Sequence, residues 1–251
     1  MKKSNKKVNA AIIIIGNEIL SGRTQDVNVV NLSTWLNKLG VKVEEVRVIP
    51  DEKDLIANTV NEVRKKFKYV FTTGGIGPTH DDITSRSIAK AFRLPYGYNK
   101  EAYAILEKYY EPGEFNDGRK KMAMIPDKAS LIYNPSSGAP GFIISNVYCL
   151  PGVPSILKAM VNGLKNRIAG GKKILSKTIS VSTVESEIAK SLEDVQNKFL
   201  QVEIGSYPFF RLGKVGVSIV LRSTEWNLIE NCSKQIKSFI QQKKIKIIER
   251  E

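Results

Sequence analysis

The chain has 251 residues, with 39 Lys+Arg against 25 Asp+Glu, one His and two Cys, for a formal charge of +14. A composition of 42% hydrophobic and 25% charged residues describes an ordinary folded protein and excludes disordered and collagen-like chains; no apolar run approaches the roughly 20 residues that span a bilayer. Cys149 and Cys232 make neither a disulfide framework nor a thiolate zinc site, so a reducing, cytoplasmic setting is expected.

Taken in chain order, residues 1–7 carry four Lys and read as a basic, disordered tail. Val8–Ile15 is a continuous apolar run, as in a strand buried on both faces. Leu32, Trp35, Leu36 and Leu39 recur at helical spacing before the stop at Gly40. Val41–Ile49 alternates like a strand, and Leu55, Val60 and Val63 predict a helix after Pro50-Asp51. Tyr69-Val70-Phe71 is a third strand, followed by a glycine loop and a helix to about Phe92 that Asp82 or Thr84 would cap. A Tyr-rich helix at 99–110, a polar loop at 111–118, strands near 130–133 and 141–150 and a helix from Pro154 to about Ile168 follow. Alternating strands and helices predict an α/β domain over 8–168 with a doubly wound, mostly parallel sheet. After the Gly170-Gly171 linker the order becomes β-α-β-β-α-β, which predicts a smaller ferredoxin-like α+β domain over 172–251. Apart from the tail, the positive charge is spread evenly, +5 over 8–168 and +5 over 169–251, without interleaved aromatics. That pattern describes a solvated basic surface and weighs against nucleic acid.

Residues 72–84 (TTGGIGPTHDDIT) run from a strand end to a helix start, where open α/β sheets bind ligands. Gly74, Gly75 and Gly77 let the backbone turn and approach a ligand, and its amides suit a phosphate. The loop has no P-loop Lys and is not G-x-G-x-x-G. Two adjacent Asp beside a phosphate call for a divalent cation with oxygen ligands, unless the loop is only a glycine turn with an Asp cap. Residues 16–28 (GNEILSGRTQDVN) also leave a buried strand, and Glu18, Asp26 and Asn28 can reach the same crevice; Asp26 is equally suited to cap the following helix. Gly138–Phe142 and Leu150–Pro154, with Gly138 and Gly152, complete the edge. His80, the single histidine, is either a proton carrier or phosphate donor or a plain polar loop residue. Tyr96, Tyr98, Tyr103, Tyr109 and Tyr110 read mainly as packing.

Thr73–Thr84, with Gly16–Leu20 and Gly22–Asn28 upstream, resembles the molybdopterin-binding (MoaB/MogA-like) superfamily. Within it the match is to the amino-terminal domain of the competence/damage-inducible protein A (CinA) family and to the similar domain of eukaryotic FAD synthases. The likeness extends through the ferredoxin-like part; the amidase domain of longer CinA proteins has no counterpart here, so its activity is not implied. By this resemblance Asp82 is the acid of the G-G-x-G-x-x-x-x-D-x-T loop and Asp26 the upstream acid of the same pocket. Gly74, Gly75, Gly77 and Thr84 would contact phosphate, with Thr73, Thr79, His80, Glu18, Asn28, Gly138 and Gly152 around them. His80 and Asp81 replace residues often basic in MogA-like members, which favours the metal-dependent dinucleotide pyrophosphatase activity known for CinA-like domains. The implied function is hydrolysis of ADP-ribose or FAD with Mg²⁺, Mn²⁺ or Co²⁺ on Asp82 and Asp81. The alternatives are a molybdopterin or adenylylated-pterin binder and, last, a competence-related DNA-associated protein. The implied partner is a nucleotide or pterin phosphate, with no membrane. Self-association as a dimer or trimer is implied too, with Trp35 and Tyr109 as exposed aromatic candidates.

Overall fold

The computed structural model describes residues 8–211 and 214–248, and it divides the chain into two units between Gly171 and Lys172. The expected tail at 1–7 lies outside the described residues.

The first unit runs β1 (Asn9–Ile15), α1 (Asn17–Leu20), α2 (Asn28–Lys38), β2 (Lys42–Ile49), α3 (Lys53–Lys66), β3 (Tyr69–Thr73) and α4 (Thr84–Phe92). It continues with β4 (Tyr96–Tyr98), α5 (Lys100–Tyr109), α6 (Asp117–Lys121), β5 (Met124–Pro126), β6 (Ser130–Ile132), β7 (Gly141–Ile144), β8 (Val147–Leu150) and α7 (Pro154–Asn162). Six strands form one sheet in the order β2-β1-β3-β8-β7-β6. The pairs β2·β1, β1·β3 and β3·β8 are parallel, whereas β8·β7 and β7·β6 are antiparallel.

The unbroken apolar run of β1 follows from its place inside this sheet. Ala11, Ile13 and Ile15 face the cluster built with Ile56, Val60 and Val63 of α3 and Ile88 of α4. Ala10, Ile12 and Ile14 face Leu32 and Leu36 of α2 and Leu157 and Val161 of α7. Both faces are covered, so polar alternation has no place in the strand. Each fully buried Ile or Leu contributes about 1.5–3 kcal/mol relative to exposure.

Four expectations need correction. The stretch 141–150 is a hairpin, β7 and β8, reversed at Ser145, whose φ is +55°. Asn146 fixes that turn by donating to the carbonyls of Arg64 and Phe67, both at 2.9 Å. The 111–118 loop already contains the start of α6, which has no apolar period to announce it. Helix α4 has no side-chain cap: Asp82 bonds back to its own loop, and the Thr84 amide donates to the Gly75 carbonyl at 2.8 Å. Trp35 is half-buried, edge-on against Phe71 with centroids 6.2 Å apart, whereas Tyr109 is exposed.

The second unit contains β9 (Leu175–Ser182), α8 (Glu185–Lys198), β10 (Glu203–Arg211), β11 (Lys214–Ser223), α9 (Trp226–Gln242) and β12 (Lys246–Ile248). Its sheet order is β10-β11-β9-β12, antiparallel throughout. Ile188, Leu192 and Val195 of α8 and Ile229, Cys232 and Ile236 of α9 pack with Ile179, Val217 and Ile219 of the sheet.

Candidate functional site

Strand direction assembles the site. Strand β1 is followed in sequence by β2 on one flank, whereas β3 joins its other flank. The chain thus reverses its winding between β1 and β3, and the crevice outside their carboxyl ends is where open α/β sheets take ligands. Because β2, β1, β3 and β8 are parallel, the segments after Ile49, Ile15, Thr73 and Leu150 all emerge on this edge. The antiparallel turn of β7 brings the 133–140 loop to the same edge. Sheet hydrogen bonding continues to the rim, with Gly16 N–H donating to Ile49 O at 3.2 Å and Gly74 N–H to Leu150 O at 3.1 Å.

A cavity of about 560 Å³ lies there. Of the residues expected from sequence, Glu18, Gly74, Gly75, Gly77, Thr79, Asp81, Asp82 and Gly152 line it. The two central glycines are required by geometry. Gly74 has φ +97° and Gly75 φ +68°, and a side chain on them would strike the Ile15 carbonyl and the Thr84 hydroxyl respectively. At Gly77 an added Cβ would meet the Asp82 carboxylate at 2.7 Å, so the absent side chain leaves that carboxylate its room. Gly152 packs on the backbone of Gly74, where an added Cβ would sit 3.4 Å from its Cα.

Asp82 Oδ2 accepts from the Thr79 amide at 2.8 Å and also from the Thr79 hydroxyl. The same hydroxyl is 2.6 Å from Asp81 Oδ1. A hydroxyl has one proton, so it serves one carboxylate at a time. The Thr79 hydroxyl is the main cause that holds the Asp81 carboxyl below its usual range, with smaller help from His80 and Lys121.

The remaining expected residues lie outside this lining. Thr73 is buried at the end of β3, and Thr84 is buried beneath Gly75 with its hydroxyl unpartnered. His80 is exposed. Gly138, at φ +72°, turns over the Tyr109 ring. Asn28, only 3% exposed, donates through Nδ2 to the Gly152 carbonyl at 2.7 Å and so ties the start of α2 to the β8 loop. Asp26 Oδ1 accepts from the Val29 amide at 2.9 Å, a helix-start bond that engages this carboxylate at α2.

The acid that sequence reading passed over is Asp51, which follows β2 directly. It lines the cavity, and its Oδ2 accepts from the Asn17 amide at 2.9 Å. Burial raises its carboxyl above the ordinary aspartate range, and the charges of Glu18, Asp81 and Asp82 raise it further against the opposing Asn17 bond. The signal was present: an acid at the end of a strand neighbouring β1 must share its edge, once strand order is known. Thr24, Asn134 and Ser137 add polar groups, and Ile76, Met122, Val153 and Ile156 form an apolar wall. The tyrosines stand apart from this cavity. Tyr103, Tyr110 and Phe115 pack on one another, and a second cavity of about 510 Å³, over β4 and β5, carries Tyr96 and Tyr98.

Comparison with known proteins follows the same division. Residues 11–169 match the family described as probable molybdopterin binding domain, and residues 173–249 match the FAD synthase middle domain. A protein of Archaeoglobus fulgidus is 34% identical over 197 residues, covering 78% of this chain and 84% of its own. A probable FAD synthase of Caenorhabditis briggsae is 30% identical over 229 residues, covering 81% of this chain and 44% of its own length. The crystal structure of a CinA protein of unknown function from Thermoplasma acidophilum shares 33% identity with a TM-score of 0.61, covering 65% of this chain and 99% of that one. With its glycine loop, its parallel sheet edge and a match over most of its length, this chain belongs to the probable molybdopterin binding domain family, alongside that CinA protein.

Proposed function

We propose that the chain hydrolyses the diphosphate bond of a dinucleotide such as ADP-ribose or FAD, assisted by a divalent ion (Mg²⁺, Mn²⁺ or Co²⁺). The observation that carries this reading is the mixture in the cavity. Four carboxylates, Glu18, Asp51, Asp81 and Asp82, share it with the glycine-loop backbone and with the turn that starts α7. Amides and helix starts favour phosphate oxygens. Carboxylates repel them unless a hard cation lies between.

The donor set fits such a cation, since it is all oxygen, and burial together with the neighbouring acids already pushes the Asp51 carboxyl upward. Among the described residues no three His, Cys, Asp or Glu side chains stand together as a ready cage. The fit is therefore to an ion held by Asp82 and Asp81 together with phosphate oxygens, the usual mode for Mg²⁺. Bound there, the ion would neutralise the diphosphate and acidify a water molecule. The backbone of Gly75–Gly77 cradles the phosphates and offsets the charge that grows in the transition state. Asp51 Oδ2 is engaged by Asn17, so Oδ1 takes the proton from the attacking water. Ile76, Met122, Val153 and Ile156 take a flat heterocycle and exclude solvent. The likeness to a probable FAD synthase and to the FAD synthase middle domain supports FAD within this substrate class.

A second reading, retention of a pterin phosphate without cleavage, is favoured by the family match over residues 11–169. One panel separates the two: ADP-ribose, FAD, NAD and a pterin phosphate, each with Mg²⁺, Mn²⁺, Co²⁺ or a chelator. Metal-dependent release of AMP from ADP-ribose or FAD is the expected result. Tight pterin-phosphate binding with no cleavage under any metal would replace it with the second reading.

A further inference from the structure

Helix α6 is short, and its last turn carries three consecutive cations, Arg119, Lys120 and Lys121. Two of them serve their own segment. Arg119 stacks 4.1 Å over the Tyr110 ring and bonds Glu114, and Lys120 pairs with Asp117 at 3.4 Å. Lys121 does something different. Its Nζ leaves the helix and donates to the carbonyl of Thr79, 42 positions earlier in the chain. The helix also leans on that loop: an added Cβ at Gly118 would sit 3.4 Å from the Pro78 carbonyl. Met122, next in sequence, lines the cavity.

Lys121 thereby holds the carbonyl of Thr79, which also accepts from the Asp82 amide at 3.2 Å, while Asp82 holds the amide of the same residue at 2.8 Å. The two peptide units that flank Thr79 are each held by a side chain, the first by Asp82 and the second by Lys121. No other lysine or arginine of the described residues bonds the 74–82 loop. A cavity with four carboxylates repels a diphosphate at every approach, and one adjacent ammonium lowers that repulsion over the distance of a Debye length, about 8–10 Å at physiological salt.

We infer that Lys121 is a positioning residue for diphosphate binding, acting through Thr79 rather than by touching the reacting atoms. This rests on the diphosphate reading of the site. Lys121 would hold the loop backbone at Thr79 and add a positive charge next to the cavity, so its role belongs to binding more than to bond cleavage. The loss expected is therefore in affinity, and it should be sensitive to salt.

The test is calorimetric binding of ADP-ribose with Ca²⁺, in the full-length wild type and in Lys121→Met and Lys121→Arg. Met keeps the length of the side chain and removes the charge. The expected result is a Kd at least tenfold higher for Lys121→Met, recovery to within about threefold of wild type for Lys121→Arg, and a weaker salt dependence in the Met variant. Melting temperatures of all three should agree within about 3 °C. Equal affinity of wild type and Lys121→Met overturns the inference. So does weakened binding in both variants together with a lowered melting temperature, which is the mark of a structural role. A wild type that binds no diphosphate nucleotide overturns the site reading itself, and the inference with it.

Discussion

In the first unit four neighbouring strands point the same way, so four loops emerge side by side and their side chains converge. In the second unit every strand pair is antiparallel. There the carboxyl end of β9 lies beside the amino ends of β11 and β12, and loops from neighbouring strands are sent to opposite edges. Both units bury helices on a sheet, and both have apolar cores. The difference is that a parallel sheet turns sequence-distant loops into neighbours, whereas an antiparallel one turns them into hairpins. The acids at positions 18, 51, 81 and 82 share one cavity for that reason.

The sharpest way to break this contrast is Asp82→Ala. It removes the carboxylate that organises the Thr79 turn and is assigned to the metal. Turnover should fall at least 10²-fold while the protein stays folded, as read by a diphosphate hydrolysis assay beside circular dichroism. Normal activity would remove the glycine-loop edge from the mechanism.

Next comes Asp51→Asn, where function and stability should move in opposite directions. Activity is expected to fall about 10²-fold through loss of the proposed proton acceptor. Stability at neutral pH should rise, by a degree or two in Tm, because a carboxylate disfavoured by burial, and further by Glu18, Asp81 and Asp82, is removed. The sign follows from the raised carboxyl. Below the unfolded aspartate value, near 3.9, wild-type Asp51 is protonated in both states and the variants should match. As pH rises through the higher folded value, the wild type loses stability relative to Asn. Thermal melts from pH 3 to 8 would show the curves separating upward in pH.

Asp26→Ala should have a smaller and purely structural effect. Losing the bond to the Val29 amide costs about 1 kcal/mol, or a few degrees in Tm, with kcat/KM within about threefold of wild type. A large catalytic loss would return Asp26 to the site.

The smallest effect is expected from thiol reagents. Burial pushes Cys149 up to about 12 and Cys232 up to about 11, so neither offers a thiolate at neutral pH. Iodoacetamide should leave native activity unchanged, one thiol in each unit being equally silent.

Much of this architecture was readable beforehand, and the failures have common physical causes. The apolar run of β1 and the Thr72–Thr84 loop carry their meaning locally, through burial on both faces and through glycine geometry. The β7–β8 hairpin does not: its turn is Ser145-Asn146, held by carbonyls of Arg64 and Phe67, and a window on the sequence sees only one apolar stretch. The β4–β5 ribbon joins two three-residue strands across more than twenty residues, so neither is recognisable alone. Asp26 lies between β1 and α2 and Asp51 between β2 and α3, and nothing in their spacing says which of them faces inward. The register of β2 against β1, with Ile15 beside Ile49, decides that, and register is a property of the assembled sheet.

The contact of Gly152 with Gly74 has a consequence for how such a site can diversify. At position 74 the left-handed backbone and the Ile15 carbonyl leave no room for any other residue. At position 152 a methyl would reach only ordinary contact distance, and its backbone is not left-handed. One side of the rim is frozen and the other adjustable, although they touch. Variation in ligand preference is thus expected to enter from the β8 side, and a library randomised at both positions should return glycine alone at 74 and small residues at 152.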